Sequence, residues 1–181
     1  MKWIQKTNIQ IILLFSILLL GTAAGSVLSV LWPEWSVWSN ATFRQGIGIL
    51  TEQKFYCIAA PMFWLAVTAA LGLSATGLSV VPLILFLRGA ALGVVLKQFY
   101  TENFSFIGLL LIMPYAYITS FLMILGVREA LRFSMQITGL LCETIQDDAV
   151  SVKLYIIRCV VLFIFMLIFG LLQNFLLVKF S

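Results

Sequence analysis

The sequence predicts an all-α fold: a polytopic membrane helix bundle of about five transmembrane helices, with the N-terminus cytoplasmic and the C-terminus outside. Three observations predict it. Residues 7–33, 55–87, 103–127 and 159–178 carry no charged side chain, and ~20 apolar residues are what one helix needs to cross ~30 Å of hydrocarbon. Hydrophobic residues make up 62% of the 181 positions and charged residues 10%, against roughly 25% charged in a soluble domain. No stretch alternates apolar and polar side chains as a strand would, and no leftover segment is long enough for a second domain, so residues 1–181 read as a single membrane domain.

The first span is expected at residues 9–31. Lys2 and Lys6 precede it, and basic residues favour the cytoplasmic side. Its apolar character outlasts the roughly 7 to 15 residues of a signal-peptide core, so it reads as an uncleaved helix. Gly21, Gly25 and Ser29 recur at every fourth position, a stripe that lets a second helix backbone come close. That stripe serves either this chain's own bundle or another subunit. An outer loop over residues 32–54 follows. Trp32, Trp35 and Trp38 mark the outer interface, where indole rings sit at headgroup level. Arg44, Glu52 and Gln53 around the apolar residues 47–50 suggest an amphipathic piece on the outer leaflet.

The run from 55 to 87 is too long for one span, and Ser74-Ala75-Thr76-Gly77 supplies small, turn-compatible residues near its middle. A fold-back there gives spans at 55–73 and 78–97. The latter carries Arg88 beside Gly89 and Gly93, a second pair of small residues four apart that lets helix backbones touch. A guanidinium stays protonated and is expensive at membrane depth. About ten residues, or ~15 Å, separate it from the inner end of the span, too far for complete snorkelling. Every Asp and Glu falls in an expected loop. Backbone carbonyls, water, a lipid phosphate or a group from another protein must then satisfy Arg88, unless the span is shifted or broken so that it lies shallower. Pro114, in the fourth span at 104–127, frees carbonyl oxygens and is a candidate source of an acceptor.

Arg128 and Arg132 open an inner loop over residues 128–158, which Lys153 and Arg158 close before the last span at 159–178. Within that loop Phe133, Ile137, Leu140 and Leu141 recur at helical spacing, suggesting a helix on the inner leaflet that Gly139 weakens. Glu143, Asp147 and Asp148 follow, as either a solvated stretch or a docking site for a cytosolic partner.

Several function classes are disfavoured. The chain has no histidine, and Cys57, Cys142 and Cys159 have no metal-ligand spacing, so no metal, cofactor or catalytic site is expected. The net charge of +4 reads as topology and contact with membrane lipids, not nucleic-acid binding. A homo-oligomer stays open.

Leu71-Gly72-Leu73, Gly77, the apolar run 80–87, Arg88-Gly89, Leu92-Gly93, Met113-Pro114 and Glu129-Ala130-Leu131 together resemble the stage II sporulation protein M family. The resemblance implies a non-catalytic five-span protein. It would anchor two cell-wall hydrolases, a glycan-strand lyase (sporulation protein D) and an amidase/endopeptidase (sporulation protein P), for remodelling of septal peptidoglycan during engulfment. Arg88, Gly89, Gly93 and Pro114 would then serve helix packing or partner contact. The alternative is a permease or channel subunit for a small anionic solute, with Arg88 holding the ligand between the third and fourth spans.

Overall fold

A computed structural model describes residues 2–32, 56–101, 106–141 and 152–180. They form five α-helices: α1 (Lys2–Leu31), α2 (Tyr56–Gly72), α3 (Gly77–Thr101), α4 (Phe106–Leu141) and α5 (Val152–Phe180). No strand occurs among the described residues. The helices α1, α3 and α5 contain stretches long and apolar enough to cross a membrane, Ile9–Leu31, Gly77–Lys97 and Val152–Leu176, while α2 holds the shorter apolar helix Ala59–Gly72. This is the architecture of a helical membrane protein.

Each outer helix buries one stripe at the helical period. On α1 the buried positions are Leu14, Leu18, Gly21, Gly25 and Ser29; on α5 they include Tyr155, Leu162, Met166, Gly170 and Gln173. Their other faces are apolar and exposed, as lipid contact requires: Ile12, Leu20 and Val30 on α1, Ile164, Ile168 and Leu172 on α5. The stretch of α3 is 56% buried against 22% for those of α1 and α5, so α3 is covered on more of its surface than either of them.

Side-chain pairings fix the helix directions. Going up α1 from Leu18 to Ser26, the facing position on α3 moves from Gly89 to Gly93, so these two helices run the same way. Gly77 lies by Ser134 and Arg88 by Thr119, so α3 and α4 are antiparallel. Leu65 and Gly72 of α2 meet Gly126 and Ala130 of α4, a parallel pair. Glu129 binds Arg158 and Gly126 faces Leu162, making α4 and α5 antiparallel. Thus α1, α3 and α5 point one way and α2 and α4 the other.

Several helices run beyond the expected spans: α1 already starts at Lys2 and α3 continues to Thr101. The inner loop was expected from residue 128, yet α4 runs unbroken for 36 residues through Arg128, Glu129 and Arg132 to Leu141, and α5 starts at Val152, not at Cys159. Charged residues end hydrocarbon contact but not a helix; Arg and Glu are good helix formers. The stripe that packs α4 also continues across them, with Val127, Ala130, Phe133 and Ser134 all buried. Phe133 and Ile137 therefore belong to the end of α4 and not to a separate surface helix. At ~1.5 Å per residue α4 is ~54 Å long, well beyond the hydrocarbon thickness.

At this end of the bundle a polar layer ties the helices together. Residues 73–76 form the turn between α2 and α3, and the Ser134 hydroxyl donates to the Ser74 carbonyl at 2.8 Å. The Tyr155 hydroxyl donates to the Ala69 carbonyl at 2.8 Å, while its ring stacks on Phe133 with centroids 4.4 Å apart. Arg158 and Glu129 pair at 2.6 Å. Tyr155→Phe keeps the stacked ring and deletes one hydrogen bond, so it is expected to lower unfolding free energy by about 1 kcal/mol. Tyr155→Ala also empties the space under α2 and is expected to lose about 3–5 kcal/mol. Reversible denaturant unfolding of the detergent-solubilised chain measures both; equal losses would show that the ring contributes nothing.

Candidate functional site: a glycine seam and a buried arginine

The two small-residue stripes meet each other. A Cβ at Gly21 would collide with the Phe86 carbonyl oxygen and lie 3.1 Å from the Gly89 Cα; one at Gly25 would overlap the Ala90 carbonyl. Reciprocally, a Cβ at Gly89 would strike the Leu18 carbonyl oxygen, and one at Gly93 the Thr22 carbonyl oxygen. Four glycines on two parallel helices thus bring α1 and α3 into backbone contact, the arrangement in which small residues maximise dispersion contact inside a membrane. Ser29 extends the stripe, 2% exposed, with its hydroxyl turned back to the Ser26 carbonyl at 2.8 Å. In this structure the stripe is occupied within the chain.

The seam sets the orientation of Arg88. Successive residues on a helix are rotated by about 100°, so with Gly89 and Gly93 against α1 the neighbouring side chain turns toward α4. Arg88 is 0% exposed, and α3 is helical without a break from Gly77 to Thr101. Eleven residues, or ~16 Å, separate Arg88 from Gly77 at the start of the helix, which is mid-depth in a ~30 Å hydrocarbon layer. A span broken at Arg88 is excluded.

The partners of Arg88 are few. Its Nη2 donates to the Thr119 Oγ1 at 3.4 Å, a long contact for N–H···O. The Thr119 hydroxyl is itself within donating distance of the Tyr115 carbonyl, 2.9 Å, and the Ala116 carbonyl, 3.1 Å, so its lone pairs face the guanidinium. Nε and Nη1 have no hydrogen-bond partner among the described residues. Tyr115 stands within electrostatic reach of the guanidinium. Glu129 is the single acidic residue among the described positions, and it is bound to Arg158.

Arg88 and Pro114 are not brought together as the sequence suggested. Pro114 is exposed on the outer face of α4. The carbonyl it frees is that of Leu110, nine residues or ~14 Å along the helix from Thr119. Trp32 stands at the end of α1, 63% exposed, with its N–H on the Leu28 carbonyl at 2.8 Å. Trp35 and Trp38 lie outside the described residues, as do the amphipathic outer segment and the acidic stretch from Glu143 to Asp148.

Sequence reasoning missed Thr119, Tyr115 and Gln173. Tyr115 and Thr119, four residues apart, share one face of α4. Gln173 is 6% exposed. It stands fifteen residues beyond Arg158, and Tyr115 fourteen before Glu129, so the antiparallel register puts the two at one level. The signal was present as polar side chains at helical spacing inside charge-free runs. Among the described residues no cluster of metal-ligating side chains forms. No family model matches the chain, and no curated protein or solved structure matches it.

Gly25→Ala is expected to destabilise the bundle by about 1–3 kcal/mol through overpacking. Gly126→Ala serves as the control, because its Cβ would meet only the terminal methyl of Leu65 at 2.6 Å and one of Leu162 at 3.9 Å; helix propensity offsets that contact by about 1 kcal/mol. Similar losses for the two would disprove the seam. Replacing Arg88 with Met removes a poorly compensated charge at similar volume, so at low salt Arg88→Met is expected to unfold at the same or higher denaturant concentration than the parent chain. A loss of several kcal/mol would show that the guanidinium is well satisfied.

Proposed function

We propose that the protein is a non-catalytic scaffold of a bacterial cell membrane, with five spans, the N-terminus inside and the C-terminus outside. It anchors and coordinates cell-wall hydrolases as the stage II sporulation protein M family does, with the sporulation septum or engulfing membrane as its place of action. The observation that carries this reading is the location of the residues behind the resemblance. Gly72 lies against Ala130 and Tyr155, Gly77 against Ser134, and Gly89 and Gly93 against α1; Glu129 binds Arg158. A motif spent on helix contacts suits a rigid platform on which other proteins break bonds. The alternating helix directions support the topology. Six basic residues (Lys2, Lys6, Arg128, Arg132, Lys153, Arg158) then fall inside and four (Arg44, Lys54, Lys97, Lys179) outside.

One observation favours a second reading, a permease or channel subunit for a small anionic solute: Arg88 Nε and Nη1 have no partner among the described residues. Pull-down in mild detergent separates the two. Recovery of extracytoplasmic wall hydrolases is the outcome expected of the scaffold, and anion flux into liposomes containing the purified chain alone would replace it with the permease. A tag at Ser181 is expected to be labelled from outside intact cells; labelling only after lysis would overturn the five-span topology.

A further inference from the structure

We propose that Arg88 is the core of a binding site for one small, singly charged anion, of the size of chloride, nitrate or formate, held inside the bundle between α3 and α4. The inference deepens the second reading of function, yet it concerns binding alone and holds equally for a scaffold that moves no solute.

The argument starts from donor bookkeeping. A guanidinium carries five N–H donors and cannot lose its charge in a protein. Nε and Nη1 account for three of the five, and they have no acceptor among the described residues. Nη2 has one contact, at 3.4 Å, to a neutral hydroxyl. A cation that is 0% exposed is destabilising unless its charge is matched and its donors are used. Hydroxyl groups supply acceptors but no negative charge.

The surroundings restrict what can supply that charge. A carboxylate of this chain is excluded among the described residues, because Glu129 is ten residues from Thr119, ~15 Å along α4, and engaged by Arg158 at 2.6 Å. A lipid phosphate is held at the headgroup level, about 15 Å from mid-depth. A neighbouring protein's side chain arrives tethered to its own backbone and would have to displace a helix to reach a group that is 0% exposed, whereas a small ion needs only a transient local opening. What fits is a small free anion. Its charge is set by the same electrostatics: one guanidinium neutralises one negative charge, whereas sulfate or doubly ionised phosphate would leave a net buried charge and carries a larger dehydration penalty. Thr119 is a positioning residue here, holding Nη2 so that Nε and Nη1 face the anion.

The test is equilibrium binding to the full chain in detergent, with no membrane gradient. Chloride is followed by broadening of its NMR line, with sodium nitrate as competitor and sodium sulfate or gluconate at matched ionic strength as controls. The expected result is saturable chloride broadening that nitrate removes and that sulfate and gluconate leave in place. Arg88→Met, with its helicity checked by circular dichroism, is expected to bind more than about tenfold more weakly. Unsaturable broadening, equal competition by sulfate, or undiminished binding to folded Arg88→Met would overturn the proposal. The competition experiment uses the unmodified chain, so it decides the matter even where the variant fails to fold. Chloride binding without flux in liposomes sustains this site and removes the permease reading, while flux without saturable chloride binding overturns the site and leaves transport standing.

Discussion

Backbone contact between α1 and α3 is the constraint from which the rest of the bundle follows. Inside a membrane, burying apolar side chains against each other gains little over burying them in lipid, so helices associate where their backbones come closest and dispersion contact is densest. Gly21, Gly25, Gly89 and Gly93 supply that closeness, with carbonyl oxygens occupying the space a Cβ would fill. A seam made of backbone has one register, because sliding by a residue brings Cβ atoms into the carbonyls. Fixing the rotation of α3 also fixes where its other faces point. Val81, Leu85, Arg88 and Leu92, spaced by four and three, all become buried. Arg88 is thus held in the interior by its neighbour, and its own preference for water is overruled.

At the opposite end of the pairings, α2, α4 and α5 use different chemistry. There the contacts are hydrogen bonds from Ser134 and Tyr155 to carbonyls, a stacked ring pair and one ion pair. The division is physical: polar contacts cluster near the α2–α3 turn, where water and headgroups offer them partners during assembly, and bare backbone contact dominates at depth. The exception at depth is the level of Arg88, where Thr119 and Ser120 both return their hydroxyls to carbonyls of their own helix. Such local bonds satisfy the hydroxyl protons without recruiting another helix, which leaves the Arg88 guanidinium short of partners among the described residues.

How much of this was legible in the sequence differs from one feature to the next. The helical class was plain in the charge-free runs, because only an apolar solvent tolerates them. The glycine stripes were visible as spacings, but that they face each other was not, since helix spacing says which residues share a face and nothing about which face meets which. Helix limits were misjudged where charge was taken for an ending. Arg128 and Glu129 mark a change of surroundings, and the backbone of α4 passes through them because no Pro stands there and the buried stripe of Val127, Ala130 and Phe133 continues on both sides. Pro114 was conspicuous and points outward. Thr119 was inconspicuous, one hydroxyl among several in an apolar helix, and it is the residue Arg88 reaches. A lone Thr carries no pattern; only the register between α3 and α4 singles it out.

The stability of the bundle and the presence of Arg88 pull in opposite directions. A Leu or Met at position 88 would pack between Leu85 and Leu92 with no desolvation penalty, and a buried ion with a single long contact to a neutral group is destabilising by several kcal/mol. The seam compensates, because a register fixed by four glycines cannot rotate the guanidinium outward without driving backbone into backbone. An assembly that forces a charge inward where an apolar residue would be more stable holds that charge ready for something that arrives later. Were the role of Arg88 merely to orient α3 in the membrane, a position within snorkelling distance of the headgroups would serve at lower cost. Its depth, ~16 Å from Gly77, suits recognition of a ligand inside the bundle and suits a topology signal poorly.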